Sequence, residues 1–169
     1  MATPNANSAR SGVASQDCAP RDTRTPGKHT VTCTATDHVG RTTTQTSSYT
    51  VNYGWDDFLP PLENPPTVNI GKAGLIYPVK WQLTDANGAF ISDLSAIRTP
   101  GVYAVQCGSL GGNPTSMLEP SNRDRAGLRY NRGAKQFIYN WSTPSKPGCY
   151  KLVIKLKGGQ SYPVYFNLK

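Results

Sequence analysis

CYKLVIKLKGGQSYPVYFNL, residues 149–168, places Leu152, Ile154 and Leu156 at every second position, pauses at Gly158-Gly159, and resumes with Tyr162, Val164, Phe166 and Leu168. An apolar period of two marks an extended strand with one buried face, and a Gly-Gly pair between two such runs marks a tight turn. The segment therefore reads as a β-hairpin. One residue disturbs the pattern: Cys149 shares the parity of Lys151 and Lys155, not of Leu152 and Ile154. Either a bulge near Gly148 or a disulfide on the outer side of the sheet would accommodate it.

The same period recurs upstream. KQFIYNW (135–141) sets Phe137, Tyr139 and Trp141 on one face, GVYAVQC (101–107) does so with Tyr103, Val105 and Cys107, and Val79, Trp81 and Leu83 alternate with Lys80 and Gln82. DANG (85–88) carries the Asn-Gly signal of a tight turn. Further upstream, TPGKHTVTCTATDHVGRTTTQTSSYTVNY (25–53) reads as a Thr-rich hairpin about DHVG, with His29, Val31, Cys33 and Ala35 on one face and Tyr49, Val51 and Tyr53 closing the second strand. No segment of ten or more residues has a helical period, and the 16 Gly and 14 Pro are dispersed as punctuation between short strands. The class is all-β. Residues 108–134 are weakly periodic and read as an irregular excursion or as holding one short strand.

In 169 residues there is room for one ordinary domain or two small ones. Residues 1–17 are small and polar and read as a flexible tail; 18–53 form a first, partial unit; 54–67, GWDDFLPPLENPPT, with four prolines, form a joint; and 68–169 form a β-sandwich domain. Two strands are too few to bury the apolar face of the first unit. Either that hairpin docks on the second unit, or a strand from a neighbouring chain completes it, which would build a fibre of strand-complemented copies.

The formal charge of +8, from 18 Lys and Arg against 10 Asp and Glu, favours polyanionic partners. Its densest cluster, RDRAGLRYNRGAK, carries Arg123, Arg125, Arg129 and Arg132 among Gly, Asn and Asp, the composition of a solvated loop, not of a groove-reading helix. Nucleic acid is accordingly not an expected partner. Together with Trp55 and Tyr165, read as the exposed aromatics, these arginines are the candidate contacts for a polysaccharide or an acidic cell-wall polymer. Trp81 and Trp141 share faces with core residues.

Cys18, Cys33, Cys107 and Cys149 form no C-x-x-C pair and have only His29 and His38 for company, so zinc lacks its ligand spacing and no metal or cofactor is expected. An even count suits an oxidising compartment and three pairings are open; Cys18 with Cys33 and Cys107 with Cys149 keeps each bridge within one unit. Nucleophilic catalysis would need a base beside the nucleophile, and His29 and His38 read as a strand and a turn residue. Asp56, Asp57, Glu63, Asp85, Asp93, Glu119 and Asp124 fall in turns and linkers, where Asp serves turn chemistry, and Asp37 or Asp56-Asp57 lack a 12-residue calcium loop. The reading is of a protein that is not an enzyme. No apolar run approaches the ~20 residues of a membrane span. MATPNANSARSG has no signal-peptide pattern, so an export signal is expected to have been removed.

CAPRDTRTPGKHTVTCTATDHVGRTTTQTSSYTV (18–51) resembles the C-terminal part of a hyalin-repeat (HYR) domain, an Ig-like module in which a Cys precedes a G-x-x-T-V-T-C-T-A-T-D-x-x-G strand and turn. The resemblance also favours the Cys18–Cys33 pairing. A full repeat would carry further strands ahead of Cys18. From residue 54 onward the chain resembles the PxKF-type domain: Pro78-Val79-Lys80-Trp81 stands where the family has Pro-x-Lys-Phe, after NPPTVN and KAG, and YNWSTPSKPGCYKLVIKLKGGQSYPVYFNLK closes it. Together the resemblances imply an Ig-like antiparallel β-sandwich preceded by a partial Ig-like sheet. They imply a non-catalytic structural or adhesion module at the C-terminal end of a larger secreted or cell-surface bacterial protein.

Overall fold

The computed structural model describes residues 6–7, 11–108, 116–118 (backbone only) and 127–169. The chain divides into two compact units, Met1–Asn52 and Tyr53–Lys169.

The first unit is a three-stranded antiparallel sheet in the order β1 (Val13–Cys18), β2 (Gly27–Asp37), β3 (Thr42–Val51). The expected tail is thus corrected at its end. Val13–Cys18 pairs with β2, and Cys18 lies opposite Cys33, to which it is disulfide-bonded. A locally polar strand forms here because β2 offers it a ladder and the bridge pins its register. On the outer face threonines stand opposite one another across β2 and β3, with Thr32 and Thr46 hydroxyls 3.3 Å apart. β-branched pairs of this kind suit a pleated surface that stays wet.

The second unit is an all-β, Ig-like sandwich of two sheets. One has the order β4 (Gly54–Leu59), β6 (Ile76–Thr84), β10 (Gln136–Ser142), β9 (Leu128–Asn131); the other β5 (Val68–Gly71), β12 (Ser161–Leu168), β11 (Gly148–Lys155), β7 (Gly101–Val105), β8 (Ser116–Leu118). Among the described residues only β5 and β12 pair in parallel. Between the sheets lie the alternating apolar residues read from the sequence, with Val79, Trp81, Phe137, Trp141, Leu152, Ile154, Val164 and Phe166 buried almost completely. A single 3₁₀ turn, Leu94–Ala96, is the helical element among the described residues. The weakly periodic stretch 108–134 contributes two short strands, β8 and β9.

Residues 54–67 are not a joint but part of this unit. Gly54–Leu59 forms an edge strand, Phe58 and Leu62 are buried, and the prolines that deny the segment a ladder are offset by side-chain amides. Asn64 bonds both the N–H and the carbonyl of Phe58, at 2.7 and 2.9 Å, and Asn69 does the same for Glu63. DANG makes the expected tight turn, with the Gly88 N–H donating to the Asp85 carbonyl at 3.1 Å. Gly88 takes a positive φ of 80° while Asn87 does not, and Asp85 Oδ1 accepts the amides of Asn87 and Ala89. An aspartate cap and the left-handed glycine together make the bend.

Candidate functional site

β7 and β11 each turn alternate residues away from the core. Val102, Ala104, Tyr150, Leu152 and Ile154 face inward, so Gly101, Tyr103 and Val105 on β7 and Cys149, Lys151, Val153 and Lys155 on β11 face outward. Register then aligns them: Tyr103, Lys151 and Tyr165 form one row across β7, β11 and β12. Lys151 Nζ lies 5.9 Å from the centre of the Tyr165 ring. Lys155, two strand repeats further, donates to Tyr103 Oη at 3.0 Å and sits 5.6 Å from its ring centre. The Tyr103 ring lies back along its strand over Gly101, where a Cβ would stand 2.9 Å from ring carbon. Glycine at 101 is what lets this ring lie flat on the sheet.

The five strands of this sheet contain no aspartate or glutamate. Their outer face therefore carries two lysines, about 13 Å of backbone apart on β11 at ~3.3 Å per residue, and two half-buried tyrosine rings. Such a face offers cations and ring surfaces to a ligand that is anionic and has apolar faces of its own.

Cys149 belongs to the same outer row as Val105, with the β11–β12 register continuous from Gly148 to Lys155. The bridge to Cys107, Cα–Cα 5.1 Å, thus lies on the outer side of the sheet, and no bulge is needed. Beside it Tyr150 turns inward, and its hydroxyl donates to the Lys146 carbonyl at 2.7 Å, tying the Pro-rich corner to the strand. Burial pushes the Tyr150 phenol up.

The residues expected to form one contact set are placed apart. Tyr165 lies on the Lys-Tyr face. Arg129 and Arg132 are exposed at the other sheet, where the register aligns Arg129, Ile138 and Lys80 on its outer side. Trp55, half-buried, turns into the sandwich: its ring lies 3.9 Å from that of Tyr162 and parallel to it, with Phe58 and Trp81 adjacent. Gln160 donates to the Tyr162 hydroxyl and bridges the backbone of Tyr53, so this aromatic cluster is a closing seam of the core. Arg123 and Arg125 lie outside the described residues. Tyr103, Lys151 and Lys155 were not singled out as contacts from the sequence; the parity of Lys151 and Lys155 opposite Leu152 and Ile154 was the available signal for the lysines, whereas Tyr103, read on one face with Val105 and Cys107, carried none.

Two further polar candidates, Asp37 and His29, are held in local hydrogen bonds. Asp37 Oδ1 accepts the amides of Val39 and Arg41, and its Oδ2 accepts from Arg41 Nε at 2.8 Å and Ser11 Oγ at 2.9 Å. These bonds, the Arg41 amide first, hold its carboxyl down to about 2. His29 donates from Nε2 to the Thr25 carbonyl and stacks on Tyr49.

No protein-family model and no curated protein matches the chain, so the hyalin-repeat and PxKF resemblances are carried by the quoted residues alone. Among solved structures it is similar to domains 3–5 of the Drosophila OTK extracellular region (15% identity, 83% of this chain and 39% of that one, TM-score 0.31). It is also similar to the Bacteroides ovatus mixed-linkage glucan utilization locus protein SGBP-B in complex with a mixed-linkage heptasaccharide (16%, 85% and 30%, TM-score 0.29). A third is the surface layer protein SbsC, domains 4–9 (14%, 85% and 18%, TM-score 0.29). The chain spans less than two thirds of the length of each, and its fold class rests on its own sheets. No described helix is long and apolar enough to cross a membrane.

Proposed function

We propose that the chain is a non-catalytic extracellular module, structural or adhesive, within a larger secreted or cell-surface bacterial protein, and that its units are of the hyalin-repeat and PxKF kinds. The observation that carries this reading is covalent: each unit is closed by its own disulfide, Cys18–Cys33 or Cys107–Cys149. Such bridges persist in oxidising compartments and are rare where thiols are kept reduced. The test is alkylation, without prior reduction, of the protein taken from its native cells. Complete protection of the four cysteines is expected, and four modified thiols would refute an extracellular location.

A second reading is favoured by a specific observation, the face of Tyr103, Lys151, Lys155 and Tyr165 on strands that contain no acidic residue. On this reading the module holds an acidic polysaccharide or acidic wall polymer, with the lysines meeting its anions and the tyrosines its ring faces. Retention on immobilised polyuronate is expected to weaken with salt and to fall several-fold in Lys151→Ala/Lys155→Ala. Equal loss in Lys80→Ala/Arg129→Ala, which removes the same charge from the opposite sheet, would show a general charge effect and end this reading.

A further inference from the structure

Among the described residues the three sheets end in six edge strands, β1, β3, β4, β9, β5 and β8. Exposed edges present unpaired N–H and carbonyl groups to any passing strand, and proteins protect them by shortness, charge, proline or bulges. Five of the six are protected here. β4 carries Asp56 and Asp57 at a register break, with Asp57 at φ 65°. β9 has four residues, among them Arg129, while β5 has four and β8 three. β1 is broken in register between Val13 and Ser15 and ends in Asp17-Cys18.

β3 has none of these devices. It is TTTQTSSYTV, ten residues without charge or proline, and its register with β2 runs unbroken from Gly27–Val51 to Thr36–Thr42. Thr42 to Ser48 are exposed, and among the described residues β3 pairs with β2 alone.

We propose that β3 is the pairing edge for a second copy of this chain, antiparallel β3 to β3 about a two-fold axis, joining two three-stranded sheets into one of six strands. Two features select a second copy. In a chain of net charge +8, an uncharged edge is where two copies approach with least repulsion. The strand is also self-complementary, because rows of Thr and Ser opposite themselves repeat the pairing β3 already makes with β2, where Thr32 meets Thr46 and Thr36 meets Thr42. The broken register of β1 gives the joined sheet no second open edge of this kind, so assembly ends at a dimer and does not continue as a fibre.

Light scattering of the full chain from micromolar to millimolar concentration tests this, combined with hydrogen exchange at both limits. A reversible dimer is expected, with β3 amides exchanging more slowly at high concentration. A monomer throughout, or a dimer whose β3 amides exchange unchanged, overturns the proposal; both readouts use the unmodified protein. Thr44→Lys/Ser48→Lys is expected to raise the dissociation constant about tenfold or more. Thr30→Lys/Thr34→Lys adds the same charge on the central strand; an equal effect there would assign association to net charge and overturn the edge.

Discussion

Trp81 is completely buried, its ring 5.7 Å from that of Phe137 and nearly parallel to it, and its Nε1–H is buried with no acceptor among the described residues. An unpaired buried donor costs on the order of 1–3 kcal/mol, while the large ring fills volume that a smaller residue leaves open. The two terms oppose each other in Trp81→Phe, which removes the donor and part of the ring. A loss below about 1.5 kcal/mol is expected, against about 3–5 for Trp81→Ala, measured by denaturant unfolding. Gly101 is the other position where one atom decides. Gly101→Ala places a methyl 2.9 Å from the Tyr103 ring, so the ring must shift and its bond from Lys155 is disturbed. The expected outcome is an intact fold by circular dichroism with retention on polyuronate lowered toward that of Lys155→Ala. Trp81 as a core residue was legible from its parity with Val79 and Leu83. Gly101 was not, because its role is defined by where a ring two residues later comes to lie.

At the scale of elements, most strand positions followed from the period of two and the partners within the two hairpins from their turns, while partners distant in the chain did not. The β2–β3 turn shows how local chemistry still carries a fold. Asp37 takes four hydrogen bonds from Val39, Arg41 and Ser11, which hold its carboxyl at about 2 in place of the ordinary 3.8. Asp22, capping the loop before β2, is held at about 2 by bonds from Thr25 and Arg24. A carboxyl whose folded value is lowered stabilises the fold fully above its unfolded value and loses that contribution as pH falls through the folded one. The first unit is therefore expected to lose stability as pH drops from about 4 to about 2. Asp22→Asn/Asp37→Asn should lower its stability at neutral pH and flatten that acid limb, as read by thermal unfolding across the pH range. The turn itself was legible in DHVG. The aspartate cap in DANG was hidden behind the stronger Asn-Gly signal, because nothing local states which side chain reaches the free amides.

Across the whole molecule the two units rest on different supports. Val31 and Val51 are the buried apolar residues of the first unit among those described, whereas the second encloses a continuous core from Tyr53 to Leu168. Removing a native disulfide costs typically 2–5 kcal/mol, a large share of what so small a core provides. Under reductant, amides of β2 are expected to lose exchange protection while those of β6, β10 and β11 keep it, with a lowered melting temperature; simultaneous loss in both units would contradict this. The sequence by itself determined the all-β class, the inward residues of the long strands and the acid-poor, basic balance, since these depend on alternation and composition and each is local. Only the tertiary structure decided that 54–67 belongs to the sandwich, that Cys149 bridges on the outer side, that Trp55 faces the core, and that Tyr103, Lys151 and Tyr165 share a row. Those are matters of register and sheet order, set by contacts between strands distant in the chain, and a period of two is blind to which strand lies alongside.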